Sequence, residues 1–167
     1  MVKTIKAASL DTSFWTIGYH AEVLPYLFDY FKIFVAPEVE DEILARDVRF
    51  PHVIYGYSKL YEVFKEDKRF QILSPQSRLG QFGRGEDAAI SLAFEHNWML
   101  LINDVRPHNY ARARGISTVS VPAFVVLLLS SGTIHKSAAE AKLQAIQNNT
   151  SQALLDNARN AITALTS

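Results

Sequence analysis

Five short runs of apolar and β-branched residues alternate along the chain with stretches of helical periodicity. That alternation predicts an α/β fold with a mainly parallel sheet, because parallel strands can be joined only through crossovers. Strands are expected over 3–10, 33–36, 70–73, 98–102 and 116–119. Helices are expected over 23–31, 37–45, 57–66, 86–96, 107–114 and 122–130. Pro37 suits a helix first turn, and Gly115 and Gly132 suit positions just past a helix end. Residues 46–55 and the Gly-bearing stretch 74–85 read as irregular. The tail 137–165 reads as two alanine-rich amphipathic helices broken around Asn148 and Asn149.

With 49% apolar residues in 167, the chain can bury a full core. It has no cysteine, which excludes disulfides and thiolate metal sites and suits a reducing cytoplasm. The apolar run Val119 to Leu129 is too short for a bilayer and contains Pro122, so no membrane association is expected. The first ten residues lack the long apolar segment of a signal peptide. Seventeen basic residues balance seventeen acidic ones. Neutrality disfavours a simple nucleic-acid coat, whose affinity comes from phosphate neutralisation, but not a site that recruits cations.

The acids carry the chemical signal. Asp11 directly follows the first predicted strand, and Asp104 follows the strand ending at Ile102. Ligands of open parallel sheets gather at the carboxyl ends of strands, which puts both acids on the functional edge. Glu86 opens a helix behind Gly83, Arg84 and Gly85, and Glu42 lies about one turn into the helix that begins at Pro37. Four convergent carboxylates raise one another's pKa unless a cation sits among them. All-oxygen ligands with neither cysteine nor clustered histidine point to Mg²⁺ or Mn²⁺ rather than zinc. Each acid alone has a structural reading: an Asp after a strand is most often a helix N-cap, and an acidic run such as 38–42 is usually a solvated face. Their joint placement makes the case.

These residues resemble the PIN domain family, in particular its small prokaryotic members. The resemblance rests on Leu10-Asp11-Thr12-Ser13, on 37–44 with Glu42, on 85–93 with Glu86, and on Leu101-Ile102-Asn103-Asp104. The stretches 115–119 and 131–134 extend it, so that it spans about 1–135. It implies a Rossmann-like three-layer sandwich over 1–135, with 136–167 a helical extension packed on the domain or at a dimer interface. It also implies a metal-dependent endoribonuclease acting on single-stranded RNA, similar to the toxin-type ribonucleases. Asp11, Glu42, Glu86 and Asp104 would be the catalytic and metal-holding acids. Ser13, Thr12 and Asn103 would support them by hydrogen bonds, and Arg84 and Arg106 would hold substrate phosphates. The implied partners are an antitoxin protein and a second copy of the chain. Many members carry a further acid where this chain has Ala88; Asp87, about 100° round the helix from Glu86, is not assigned to the site.

Other residues have weaker prospects. His108 is expected at the surface without a role, and Trp15 and Tyr19 are as readily core as base-stacking groups. His20, His52, His96 and His135 share no ligand spacing. A non-catalytic interaction module that keeps the fold is the alternative function. A Mg²⁺-dependent phosphatase of similar topology is disfavoured, because Ser13 stands where such enzymes place a second aspartate.

Overall fold

The computed structural model describes residues 4–167. Its sheet has five parallel strands: β1 (Lys6–Leu10), β2 (Phe31–Val35), β3 (Phe70–Ile72), β4 (Met99–Leu101) and β5 (Thr118–Val119). They lie in the order β3-β2-β1-β4-β5. The chain therefore builds outward from β1 to β3, then returns to the other side of β1 for β4. That reversal opens a crevice at the carboxyl ends of β1 and β4, where α/β sheets bind ligands. Register brings Leu10 beside Leu101, and the backbone N–H of Asp11 donates to Leu101 O at 2.9 Å. The position of Asp11 is thus set by the sheet itself. The expected strand over 3–10 is observed from Lys6, and Lys3 lies outside the described residues.

The helices are α1 (Thr12–His20), α2 (Leu24–Leu27), α3 (Pro37–Leu44), α4 (Gly56–Glu66), α5 (Arg84–His96), α6 (Val105–Ala113), α7 (Val121–Ser130), α8 (Lys136–Ala145) and α9 (Gln152–Thr166). Consecutive strand residues point to opposite faces, yet Ala8, Ser9 and Leu10 are all buried, so helices cover both faces of the sheet. Ala88, Ala89 and Ala93 give α5 the small surface needed to approach β1, and the Ser9 hydroxyl donates to Ala89 O at 2.8 Å.

Two expectations are corrected. The helix placed over 23–31 is only the short α2, because Phe31 and Lys32 already pair with β1 in the sheet. The stretch after Asp11, assigned no element from sequence, forms α1; it buries Phe14 and Trp15 on one side. Trp15 is core: its indole N–H donates to Tyr57 O at 2.8 Å, and its ring meets Tyr61 edge-on.

The C-terminal helices pack on the domain. Leu143 of α8 and Leu155, Ala158 and Ile162 of α9 join the hydrophobic core, and both helices contact α7. Lys142 donates to the carbonyls of Ala21 and Glu22 at 3.1 Å each, fastening α8 to the end of α1. Among the described residues no helix is long and apolar enough to cross a membrane.

Candidate functional site

Asp11, Glu42, Glu86 and Asp104 line one cavity of about 340 Å³ at the crevice beside β1 and β4. Asp11 is buried. Its Oδ2 accepts from the Ser13 backbone N–H at 2.9 Å and from the Ser13 hydroxyl at 2.5 Å. Half of this is an ordinary N-cap of α1, so the structural reading of Asp11 is partly correct. The other oxygen is not explained that way: Oδ1 is buried with no hydrogen-bond partner. Leaving a carboxylate oxygen buried and unpaired is costly, and groups left so point to a ligand or to stored strain. Burial pushes the Asp11 carboxyl up to about 6; the Ser13 hydrogen bonds oppose the rise, and the charges of Asp104 and Glu42 add to it.

Ser13 is in turn fixed from the neighbouring strand, its Oγ accepting from the backbone N–H of Asn103 at 2.9 Å. Asn103 is buried, and its Oδ1 accepts from the Val121 N–H at 3.1 Å. One relay therefore joins the ends of β1 and β4 to the start of α7.

Glu42 lies in the last turn of α3 and reaches toward α5. Its Oε2 accepts from the Thr12 hydroxyl at 2.6 Å, and its Oε1 accepts from the Gly85 N–H at 3.0 Å. The latter satisfies an otherwise orphaned amide in the first turn of α5. A Cβ at Gly85 would fall on the Glu42 carboxyl, so Glu42 can approach this closely only because residue 85 is glycine.

Glu86 is half-buried, and desolvation raises its carboxyl to about 7, with the charges of Asp11 and Asp104, a hydrogen bond to Asp104 and the charge of Glu42 adding to the shift. Asp104 precedes α6 but makes no side-chain cap bond, so the helix-cap reading does not account for it. Asp87 is buried and accepts from the Gln81 and Phe82 amides, which shapes the loop before α5 and keeps it out of the cavity.

The two arginines part company. Arg106 lies against the Phe82 ring at 5.5 Å and lines a depression that it shares with Glu86 and Asp104. Arg84 instead lines a separate depression with Glu38, Arg78 and Asp87. His108 is buried rather than at the surface: its Nε2 meets the Thr118 hydroxyl at 2.9 Å, tying α6 to β5. It borders a larger cavity of about 590 Å³, between β5 and α9, that none of the four acids lines.

Sequence reasoning missed Asn149, which lines the acidic cavity from the connection between α8 and α9. Only the break in helical pattern at Asn148 and Asn149 hinted that the chain turns there.

The acids share a cavity without forming a compact cluster. Among the described residues, no three His, Asp or Glu side chains are grouped so that they could hold a metal ion. Glu42 is drawn to Thr12 and Gly85, Glu86 to Asp104, and Asp11 to Ser13.

Residues 15–164 match the family model described as DUF3368, a PIN domain. The matched span begins after Asp11 and continues through α8 and most of α9, beyond the point near 135 where the resemblance read from sequence ends. A PilT N-terminus domain protein from the hyperthermophilic archaeon Sulfolobus solfataricus P2 is similar in structure. It has a TM-score of 0.49 and 19% identity, covering 77% of this chain and 95% of that one. No curated protein matches the chain.

Proposed function

We propose that this chain, which belongs to the PIN domain family, is a Mg²⁺- or Mn²⁺-dependent endoribonuclease acting on single-stranded RNA. The observation that carries the reading is the buried, unpartnered Oδ1 of Asp11, in a cavity that three further acids line. The donors are all oxygen, the ligand type a hard divalent cation takes, although the four side chains are not gathered about one point in this conformation. Asp11, Glu42, Glu86 and Asp104 would hold it. Bound there, the ion supplies the positive charge that an attacked phosphodiester needs.

The chain's own groups do the rest. Ser13 fixes Asp11 through Oδ2 and so leaves Oδ1 as the open ligand. Burial and the charges of Asp11, Asp104 and Glu42 raise the Glu86 carboxyl to about 7, and a cation among the acids would offset those charges and favour its ionised, ligating form. Arg106, beside Glu86 and Asp104, supports contact with a phosphate away from the reacting one. The same proposal includes a cytoplasmic toxin with an antitoxin or a second copy as partner. Val48 and Phe50, 95% and 53% exposed after α3, are apolar surface that such a partner would cover.

The PIN superfamily includes catalytic and non-catalytic members, and one observation favours a non-catalytic nucleic-acid or protein interaction module. The acids are not grouped as a ready metal site, and Glu42 is engaged as a partner of α5. Mn²⁺ titration by calorimetry, with cleavage of single-stranded RNA in Mn²⁺ against EDTA, separates the two. The nuclease reading requires binding and cleavage that Asp11→Asn and Asp104→Asn both abolish in folded protein. A chain that binds no Mn²⁺ even at millimolar concentration is the interaction module.

A further inference from the structure

We propose that Asn149 is a substrate-positioning residue of the acidic cavity, which makes the α8–α9 connection part of the site. The inference rests on the nuclease reading above. Asn149 lines the same cavity as Asp11, Glu86 and Asp104, although it lies far from them in sequence. The connection is held in place, because Asn103 Nδ2 donates to the Thr150 hydroxyl at 3.2 Å. Asn103 is also the residue whose backbone N–H fixes Ser13, which fixes Asp11. One residue thus ties the connection, through its side chain, and the acids, through its backbone.

Donor chemistry gives Asn149 its role. Single-stranded nucleic acid presents acceptors at every phosphate and along its base edges, and carboxylates offer no donor to meet them. The hydroxyls lining the cavity are committed: Thr12 donates to Glu42, Ser13 to Asp11, and Thr16 to backbone carbonyls in its own helix. Among the side chains that line the cavity within the described residues, the exposed Asn149 carries the amide donor with no partner in the chain, and its backbone N–H donates to Ile146 O at 3.1 Å. A lysine here would pair with the acids. A neutral amide stays available, and it accepts as well as donates, so it can read a base edge or hold a phosphate oxygen.

The test uses the full chain, Mn²⁺ and labelled single-stranded RNA oligonucleotides, with kcat and KM measured separately. Asn149→Ala is expected to raise KM roughly tenfold, the loss of one hydrogen bond to a charged acceptor, with kcat within about twofold of wild type. Asn149→Asp should raise KM further by adding a negative charge, and Asn149→Gln should recover part of the loss. Mn²⁺ affinity by calorimetry should not change in any of the three. Wild-type KM in both Asn149→Ala and Asn149→Asp overturns the inference alone, provided the wild-type chain cleaves. Parallel loss of Mn²⁺ affinity and kcat also overturns it, since Asn149 would then be supporting the acids. A wild-type chain that neither binds nor cleaves any oligonucleotide overturns the nuclease reading, and this inference with it.

Discussion

The Glu42 carboxyl lies against the backbone of Gly85, accepting its N–H at 3.0 Å in the space that a Cβ at residue 85 would occupy. The contact joins the end of α3 to the first turn of α5 and fixes where the acid points. Gly85→Ala is therefore expected to displace Glu42 while leaving the fold intact, because the crowded group is the free end of a flexible side chain. Alanine also favours the helix by up to about 1 kcal/mol, which offsets part of any strain. Cleavage should fall about as far as in Glu42→Ala, and the double variant should be no worse than either single one. Additive losses in that cycle would separate the two residues.

Asp11 makes the fold weaker as pH rises. Its carboxyl titrates at about 6 in the fold, chiefly because of burial. An unfolded aspartate titrates near ~4, so the folded state holds the proton more tightly. The stabilisation is complete below about 4 and is lost as pH climbs through about 6; above that, the ionised buried group costs about 3 kcal/mol, taking ~1.4 kcal/mol per pKa unit. Asn keeps an acceptor for Ser13 and carries no charge. Asp11→Asn should melt several degrees above wild type at pH 8 in EDTA, with the gap closing toward pH 4. Equal melting at pH 8 would refute the burial penalty.

The parallel order and the edge that collects the acids were readable in the sequence. Strand runs followed directly by Asp11 and by Asn103-Asp104 give both away, since burial on two faces leaves strands uniformly apolar. The helix α1 was not readable, because Phe14, Trp15 and Ile17 beside two threonines mix helical spacing with β-favouring residue types. Arg84 and Arg106 look equivalent in sequence, each within two residues of an acid. They differ because Arg84 lines a depression with Glu38, Arg78 and Asp87, whereas Arg106 lines another with Glu86 and Asp104. Asn149 depends on the docking of α8 and α9, a long-range event with no local signature.

His108 binds Thr118 across α6 and β5 and does not line the acidic cavity. Burial lowers its pKa, the Asn109 hydrogen bond opposes that, and Arg112 adds to the lowering. His108→Ala should cost roughly 1–3 kcal/mol by leaving a polar partner unmatched, with cleavage per folded molecule unchanged. The same burial gives a pH signature. The stabilisation is present above the unfolded value near ~6.5 and is lost as pH falls through the lower folded one. Denaturant melts of wild type and variant should converge on acidification. A variant of full stability that loses cleavage would place His108 in the chemistry after all.

Arg106 and Arg84 give opposite expectations on RNA. Arg106 sits over Phe82 in a depression continuous with Glu86 and Asp104, so a strand crossing the acids passes within its reach. Arg84 lines a separate depression with Glu38, whose carboxyl Arg78 engages, and it does not line the acidic cavity. Each phosphate contact on a single strand releases counterions and contributes about 0.7 to the slope of log K against log salt. Arg106→Ala should weaken RNA binding and flatten that slope by about 0.7, whereas Arg84→Ala should leave both within error. The comparison needs titrations at several salt concentrations in the Asp104→Asn background, where RNA is not consumed. Binding measured at one salt concentration would not suffice, because a lost packing contact with Phe82 also lowers affinity but leaves the slope unchanged. Equal slopes for wild type and Arg106→Ala would mean that this guanidinium holds the Phe82 loop rather than a phosphate.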